Sequence, residues 1–307
     1  MSYDHDRSHG RDSRSLTNFN RAFIIGILLN SGFVAIEAVF GFFAHSLALL
    51  ADAGHNFGDV LGLVMAWTAS CLVKRAPTRR HTYGFRASSI LAALANAIIL
   101  LVVTGALSWE AIRRLIHPEP VVGTTMIWVA AVGVVINSVT ALMFMSGRKR
   151  DLNLQGAFMH MAADAAVTFG VVVAGIAIYF TQWLWLDPLI SLLIGVVIAV
   201  GTWGLLRESL NLSLAAVPTG IDSAAVENYL SKLPGVAKVH DLHIWAMSTT
   251  EIALTAHLVK PDGKIDDPLL VQIQDQLHDR FGIGHMTIQL ECGGPDSLCA
   301  QESAHVV

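Results

Sequence analysis

Charged residues are scarce in this chain. Of 307 residues, 14% are Asp, Glu, Lys or Arg, while 53% are hydrophobic and the mean hydropathy is +0.55. Soluble domains carry roughly 25% charged residues, so an ordinary soluble protein is excluded and a membrane protein is implied. Cysteine is scarce too: Cys71, Cys292 and Cys299 make no disulfide framework, and Cys71 falls within an apolar run. Positive charge is not in excess, the formal net charge being −4, which argues against nucleic acid as a partner. The opening stretch MSYDHDRSHGRDSRSLTNFN has no apolar core of the kind a cleavable signal peptide needs, and residues 1–20 read as a disordered tail. No HExxH is present, so an intramembrane zinc protease lacks its ligands and general base. Without a Walker A sequence, ATP does not drive the chain directly, and without a Lys- or Arg-rich helix a voltage-gated pore is disfavoured. An enzyme is therefore not expected.

What the chain does have is six long apolar segments, at about 21–43, 47–72, 88–110, 122–146, 154–180 and 186–212. Basic residues orient them. Arg7, Arg11, Arg14 and Arg21 precede the first, Lys74, Arg75, Arg79, Arg80 and Arg86 lie between the second and third, and Arg148, Lys149 and Arg150 between the fourth and fifth. The links after the first and fifth have neither Lys nor Arg. The positive-inside rule then puts both termini in the cytoplasm, although Arg113 and Arg114 run against it. Trp128, Trp183 and Trp185 fall near the outer edges, as an aromatic belt would.

The stretch from Ser46 to Trp67, SLALLADAGHNFGDVLGLVMAW, is long enough to cross a bilayer yet carries Asp52, His55 and Asp59. Steps of three and four bring these side chains onto one helix face. An ionisable group at membrane depth costs ~2.5–3.5 kcal/mol or more, so the three need partners, and a metal ion or a proton path is the usual one. Packing against a neighbouring helix is the plainer alternative. The fifth span repeats the spacing, with His160 and Asp164 four apart in GAFMHMAADAAVTFGVV. The two spans run in opposite senses. At ~1.5 Å per residue, His55 and His160 lie ~12 and ~9 Å deep from opposite sides, so the two pairs meet near the midplane. Two imidazoles and two carboxylates suit Zn²⁺ in tetrahedral coordination. Mg²⁺, Ca²⁺ and Mn²⁺ prefer more oxygens, while Cd²⁺, Co²⁺ and Ni²⁺ stay open. One HxxxD is common by chance; two within membrane spans point to metal or proton transport.

After about Val217 the composition becomes that of a soluble domain. IDSAAVENYLSKLPGV reads as a helix stopped by Pro234-Gly235, AKVHDLHIWAMS and EIALTAHLVK as strands, DPLLVQIQDQLHDRFG as a second helix, and HMTIQLEC as a third strand. The expected organisation is a tail at 1–20, a six-helix α-helical transmembrane domain at 21–212, a small α+β module (αββαβ, ferredoxin-like or metallochaperone-like, helices on one face) at 217–293, and a flexible tail at 294–307.

The chain resembles the cation diffusion facilitator family, and within it bacterial zinc exporters related to the vertebrate zinc transporters. The resemblance rests on NSGFVAIEAVFGFFAHSLALLADAGHNFGD, RRHTYGFR, GAFMHMAADA, VHDLHIWAMS and HMTIQLE, and it covers nearly everything after residue 20. It implies six spans in the inner membrane of a bacterium, a homodimer, and export of zinc in exchange for protons. His55, Asp59, His160 and Asp164 match the family's transport site one by one, and histidine in its first position implies that cadmium is the poorer substrate. His240, His257, His285 and Glu291 are implied as ligands for cytoplasmic zinc at the dimer interface, against the alternative of satisfied polar strand residues. His243, three residues after His240, has the parity of the opposite strand face. Cys292 and Cys299 read either as added thiolate ligands or as tail residues. In the loop site of the family, His81 matches one ligand, but Phe85 and Ser88 replace others. Asp52 is implied to guide ions or protons without ligating. Asn30, Glu37, Asn96 and Asn137 lie within spans, where the resemblance puts several along the cavity and interhelical hydrogen bonding is the simpler role. Lys74, Arg75, Arg79 and Arg80 are expected to form salt bridges or lipid contacts. The rival to transport is a membrane-anchored protein that senses or hands on metal through its soluble module.

Overall fold

The computed structural model describes residues 28, 30–145, 152–262, 267–293 and 299. The expected tail at 1–20, most of that at 294–307, and the start of the first span lie outside them. Among the described residues, five helices are long and apolar enough to cross a membrane: α2 (Leu47–Val73), α3 (Ser88–Ile116), α4 (Gly123–Met145), α5 (Leu152–Thr181) and α6 (Leu186–Ser213). α1 (Asn30–Phe43) is a shorter apolar helix over the described part of the first expected span. The 27 residues of α2 reach about 40 Å at ~1.5 Å each, beyond the ~30 Å of a hydrocarbon core. α3 runs further than the apolar pattern suggested, because its charges satisfy one another within the helix. Glu110 pairs with Arg113 at 2.8 Å and Arg114 at 3.2 Å, and Arg114 also meets Glu119 at 3.2 Å and donates to the His45 carbonyl.

The chain divides into two compact units, one of residues up to Leu63 with Asn96–Trp203, the other of Val64–Ala95 with Gly204 onward. The first is built on small residues. A Cβ on Gly175 of α5 would come within 3.0 Å of the Ile127 side chain of α4, and one on Gly133 of α4 within 2.6 Å of the Phe33 ring. Glycine at both lets helices approach closely enough for dispersion contacts to hold them in an apolar solvent. Ala48, Leu49, Met126, Ala130, Val171 and Ile178 form the centre of this core. Asp187 settles the start of α2. Asp187-Pro188 does stand in the first turn of α6, yet its fully buried carboxylate accepts from Ser46 Oγ at 2.6 Å, Leu47 N at 2.7 Å and Ala48 N at 3.2 Å. It therefore caps α2 from a distant helix, satisfying N–H groups that have no partner within α2.

In the second unit the C-terminal module has the order α7 (Ser223–Ser231), β1 (Lys238–Ala246), β2 (Ile252–Val259), α8 (Asp267–Phe281), β3 (Ile283–Glu291), the αββαβ expected. Asp222 caps α7 by accepting from Ala224 N and Ala225 N, and Gly282 closes α8 at φ +68°. β1 and β2 are antiparallel, and β2 and β3 parallel because α8 carries the chain back between them. Val226 and Leu230 of α7, Ile273 and Leu277 of α8, and Ile244, Leu254, Leu258 and Ile283 of the sheet make one core. Strand alternation then leaves His257, His285 and Glu291 on the sheet face away from the helices. β1 carries a bulge between His240 and His243: His240 pairs with His257 and His243 with Thr255, so three steps on β1 match two on β2. The extra residue is Asp241, at φ +50°. The bulge reverses the parity expected of a regular strand and returns His243 to the face of His240.

Candidate metal centres

One turn of α2 separates His55 from Asp59, and one turn of α5 separates His160 from Asp164. The helices bring the pairs together. His160 Nε2 lies 3.1 Å from Asp59 Oδ2 and 3.6 Å from Asp164 Oδ2; His55 Nε2 lies 3.4 Å from Asp164 Oδ1 and 3.8 Å from Asp59 Oδ2. Bonds of ~2.0–2.1 Å in a tetrahedron put neighbouring donors ~3.3 Å apart, so these separations fit one zinc-sized ion. Donor atoms of Asp59, His160 and Asp164 converge within 4.8 Å of one another. His55 approaches through the two carboxylates, its ring 6.1 Å from that of His160. The set is asymmetric: the side chain of Asp164 is 4% exposed, those of Asp59 and His160 36% and 43%. The cluster is therefore open on the Asp59–His160 side and closed at Asp164.

Asp52 does not join the donors. It is buried and accepts from Thr168 Oγ1 at 2.7 Å, tying α2 to α5 one turn beyond Asp164. Glu37 of α1 is buried beside Asp52 and Asn56. Asn30 donates to Met161 Sδ at 3.3 Å, next to His160. Asn96 packs on α2, its Nδ2 2.9 Å from where a Cβ on Gly62 would stand, and Asn137 is buried; among the described residues Asn96 Oδ1 and Asn137 Nδ2 have no hydrogen-bond partner. Among the described residues, Asn30 is the one of these three asparagines with an interhelical hydrogen bond.

The second centre lies on the open face of the C-terminal sheet. Glu291 receives His240 Nε2 at 3.0 Å on one oxygen and His257 Nδ1 at 3.0 Å on the other. Cys299 Sγ stands 3.5 Å from His257 Nδ1, and His240, His257, Glu291 and Cys299 converge as four donors. Burial pushes the Glu291 carboxyl up, but hydrogen bonds from His240, Cys299 and Gln289 together hold it below the usual carboxylate range. Asp241, placed by the bulge, reaches His257 Nε2 at 3.4 Å and His243 Nε2 at 2.8 Å. His285 is not part of this cluster. It pairs with Ala253, whereas His257 pairs with Gln289, four residues further along β3 or ~13 Å at ~3.3 Å each. Its ring instead meets Tyr83 edge-on at 5.5 Å. Cysteine chemistry hinted at Cys299, but no sequence signal marked Asp241.

The loop site fares no better. The His81 ring rests on Phe85 at 4.8 Å, and no cluster of three donors forms there among the described residues. Lys74, Arg75, Arg79 and Arg80 are exposed and make no salt bridge with a described residue; Arg86 does, with Glu251 at 2.7 Å. Thr249 N donates to Ser89 Oγ at 3.0 Å beside it.

The cation efflux transmembrane domain matches residues 23–212, and the cytoplasmic, dimerisation domain of cation efflux proteins matches 218–292. The cation efflux system protein CzcD of Alcaligenes sp. is 37% identical over 294 residues, covering 95% of this chain and 90% of that protein. Zinc transporter ZitB of Escherichia coli is 35% identical over 297 residues, covering 95% of each. A cadmium, cobalt and zinc/H⁺–K⁺ antiporter of Bacillus velezensis is 30% identical over 296 residues, covering 95% and 92%. A solved metal-bound C-terminal domain of the CzcD transporter of Cupriavidus metallidurans is 40% identical, covers 23% of this chain and 99% of its own, and has a TM-score of 0.21. The chain thus belongs to the cation efflux, or cation diffusion facilitator, family of multi-pass membrane proteins, which export metal cations and are not enzymes.

Proposed function

We propose that this protein exports Zn²⁺ from the cytoplasm in exchange for protons, by alternating access around His55, Asp59, His160 and Asp164. The observation that carries the reading is the approach of two imidazoles and two carboxylates from two helices to 3.1–3.8 Å. Nitrogen and carboxylate donors at coordination four suit Zn²⁺, and Cd²⁺, Co²⁺ and Ni²⁺ are further candidate substrates for the same donors. Coupling follows from the ligands. A histidine must be neutral to bind metal, and its ordinary pKa is ~6.5. Zinc entering from the cytoplasm therefore displaces protons from the site, and protons entering from outside displace zinc.

In this reading residues 21–212 form the transmembrane domain and 217–293 the cytoplasmic domain of a homodimer in the inner membrane of a bacterium, with both termini cytoplasmic. His240, His257, Glu291 and Cys299 bind cytoplasmic zinc near the partner subunit and tie metal load to subunit packing. That cluster is also what favours the rival, a membrane-anchored metal sensor, but an anchor leaves the site between α2 and α5 without a purpose. Zinc uptake into proteoliposomes of inverted orientation separates them. The wild type is expected to accumulate zinc and release protons, with Asp59→Ala and the double variant His55→Ala, His160→Ala doing neither. Transport persisting unchanged in both variants overturns the proposal.

A further inference from the structure

His55 has a second nitrogen that the metal site does not use. Nε2 faces the carboxylates of Asp59 and Asp164, while Nδ1 is buried without a hydrogen-bond partner among the described residues. On α6, the hydroxyl of Ser191 is in the same position: the residue is 2% exposed and its Oγ has no partner among the described residues. A helical serine ordinarily satisfies its hydroxyl on a carbonyl one turn back, so an orphan Oγ points to something else. His55 and Ser191 line one small cavity between α2, α3 and α6, together with Thr104, Ser108 and Gly195. Its volume is about 10 Å³ for the centre of a water-sized sphere, close to the least that holds one water. Gly195 keeps that space: a Cβ there would stand 2.9 Å from Ser108 Oγ and 3.5 Å from Thr104 Cγ2.

We infer that this cavity binds a single water that accepts from His55 Nδ1–H and is held by the Ser191 hydroxyl, making Ser191 a positioning residue for the metal ligand. A metal-binding histidine almost always donates its other ring N–H to a fixed acceptor, which sets the tautomer and the ring orientation. Among the described residues no carboxylate or carbonyl accepts from Nδ1, and neutral hydroxyls with one water perform the task without adding charge inside the membrane. The water keeps the proton on Nδ1 and leaves the Nε2 lone pair directed at the ion. The lining is otherwise apolar, with Ala51, Val103, Leu107 and Ile198, so it holds one water and no chain of them. The inference rests on His55 being a ligand.

The test uses full-length protein in nanodiscs, with His240→Ala and His257→Ala in the background so that only the membrane site binds. Zinc affinity is read by competition with an indicator. Ser191→Ala removes the hydroxyl, Gly195→Ala fills the cavity, and each is expected to weaken zinc ~10–100-fold, the usual effect of losing an outer partner of a ligand. Ser191→Thr, which keeps a hydroxyl, restores binding. Nitrogen-15 shifts of the His55 ring, assigned with His55→Gln, report the tautomer, which general loosening of α6 would not move. The wild type shows Nδ1–H alone, Ser191→Ala a mixture. Wild-type affinity and an unchanged tautomer in Ser191→Ala overturn the inference. If His55→Gln itself binds zinc as the parent does, the reading of the transport site falls instead, so the two failures are distinct. Should Gly195→Ala not fold, the Ser191 pair decides alone.

Discussion

Asp164→Asn is the sharpest perturbation of the membrane site. Asp164 is its most buried donor and, like Asp59, stands beside both imidazoles, at 3.4 and 3.6 Å. The carboxamide has nearly the same volume, so packing survives while the charge and one lone-pair oxygen are lost. Structural zinc sites with four ligands are worth ~10–16 kcal/mol, or ~2.5–4 kcal/mol for each ligand. At ~1.4 kcal/mol per tenfold, zinc affinity should fall ~10²–10³-fold. Burial ranks the two acids. The Asp59 side chain is 36% exposed, so water replaces its carboxylate as a ligand, whereas at 4% exposure nothing replaces that of Asp164. Asp164→Asn should therefore fall at the upper end of the range and Asp59→Asn at the lower. Competition against a zinc indicator in detergent, with the cytoplasmic cluster disabled by His240→Ala and His257→Ala, measures both. Parental affinity in Asp164→Asn refutes its place among the ligands, and Asp59→Asn costing more than Asp164→Asn refutes the ranking by burial.

Three further outcomes follow from contacts elsewhere. Asp187→Ala strands three buried donors at the start of α2, at ~1–3 kcal/mol for each unsatisfied group, so thermal unfolding in detergent should drop by several degrees, with Asp187→Asn intermediate; an unchanged melting temperature contradicts the cap. Arg86 and Glu251 are each about a third exposed, which limits their pair to ~0.2–1 kcal/mol; Arg86→Glu should speed hydrogen exchange at Thr249–Glu251, and adding Glu251→Arg should slow it again, a failure of the double variant to recover ruling out a direct pair. Glu291 ionises below the usual range in the folded protein, so its contribution is complete above the unfolded value of ~4.3 and disappears as pH falls through the lower native value. Hydrogen exchange of β1 and β3 amides should accelerate across that acid window in the wild type and less in Glu291→Gln; identical profiles would exclude Glu291 as the cause.

The two HxxxD pairs were legible because they depend on helix geometry alone. A step of four residues on an α-helix returns to one face whatever surrounds it, and the scarcity of charge makes any charged face in a span conspicuous. The order αββαβ was legible for the same reason, since period-two and period-3.6 patterns are local. Strand parity, by contrast, failed at His243 because a bulge adds one residue, and nothing in VHDLHIW announces that Asp241 adopts φ +50°.

By itself, then, the sequence determined which segments are long and apolar enough to cross a membrane, which faces carry imidazole and carboxylate, and which module follows. Only the tertiary structure decided which of the soluble histidines meet: β3 register takes His285 away to Tyr83 and brings Glu291 between His240 and His257, with Cys299 arriving from beyond the sheet. It also decided that Asp187 caps α2 across 140 residues of chain and that Ser191 shares a cavity with His55. The physical reason is range. Periodicity fixes the direction of a side chain relative to its own backbone, whereas a partner far along the chain is fixed by how elements pack, which no local pattern records.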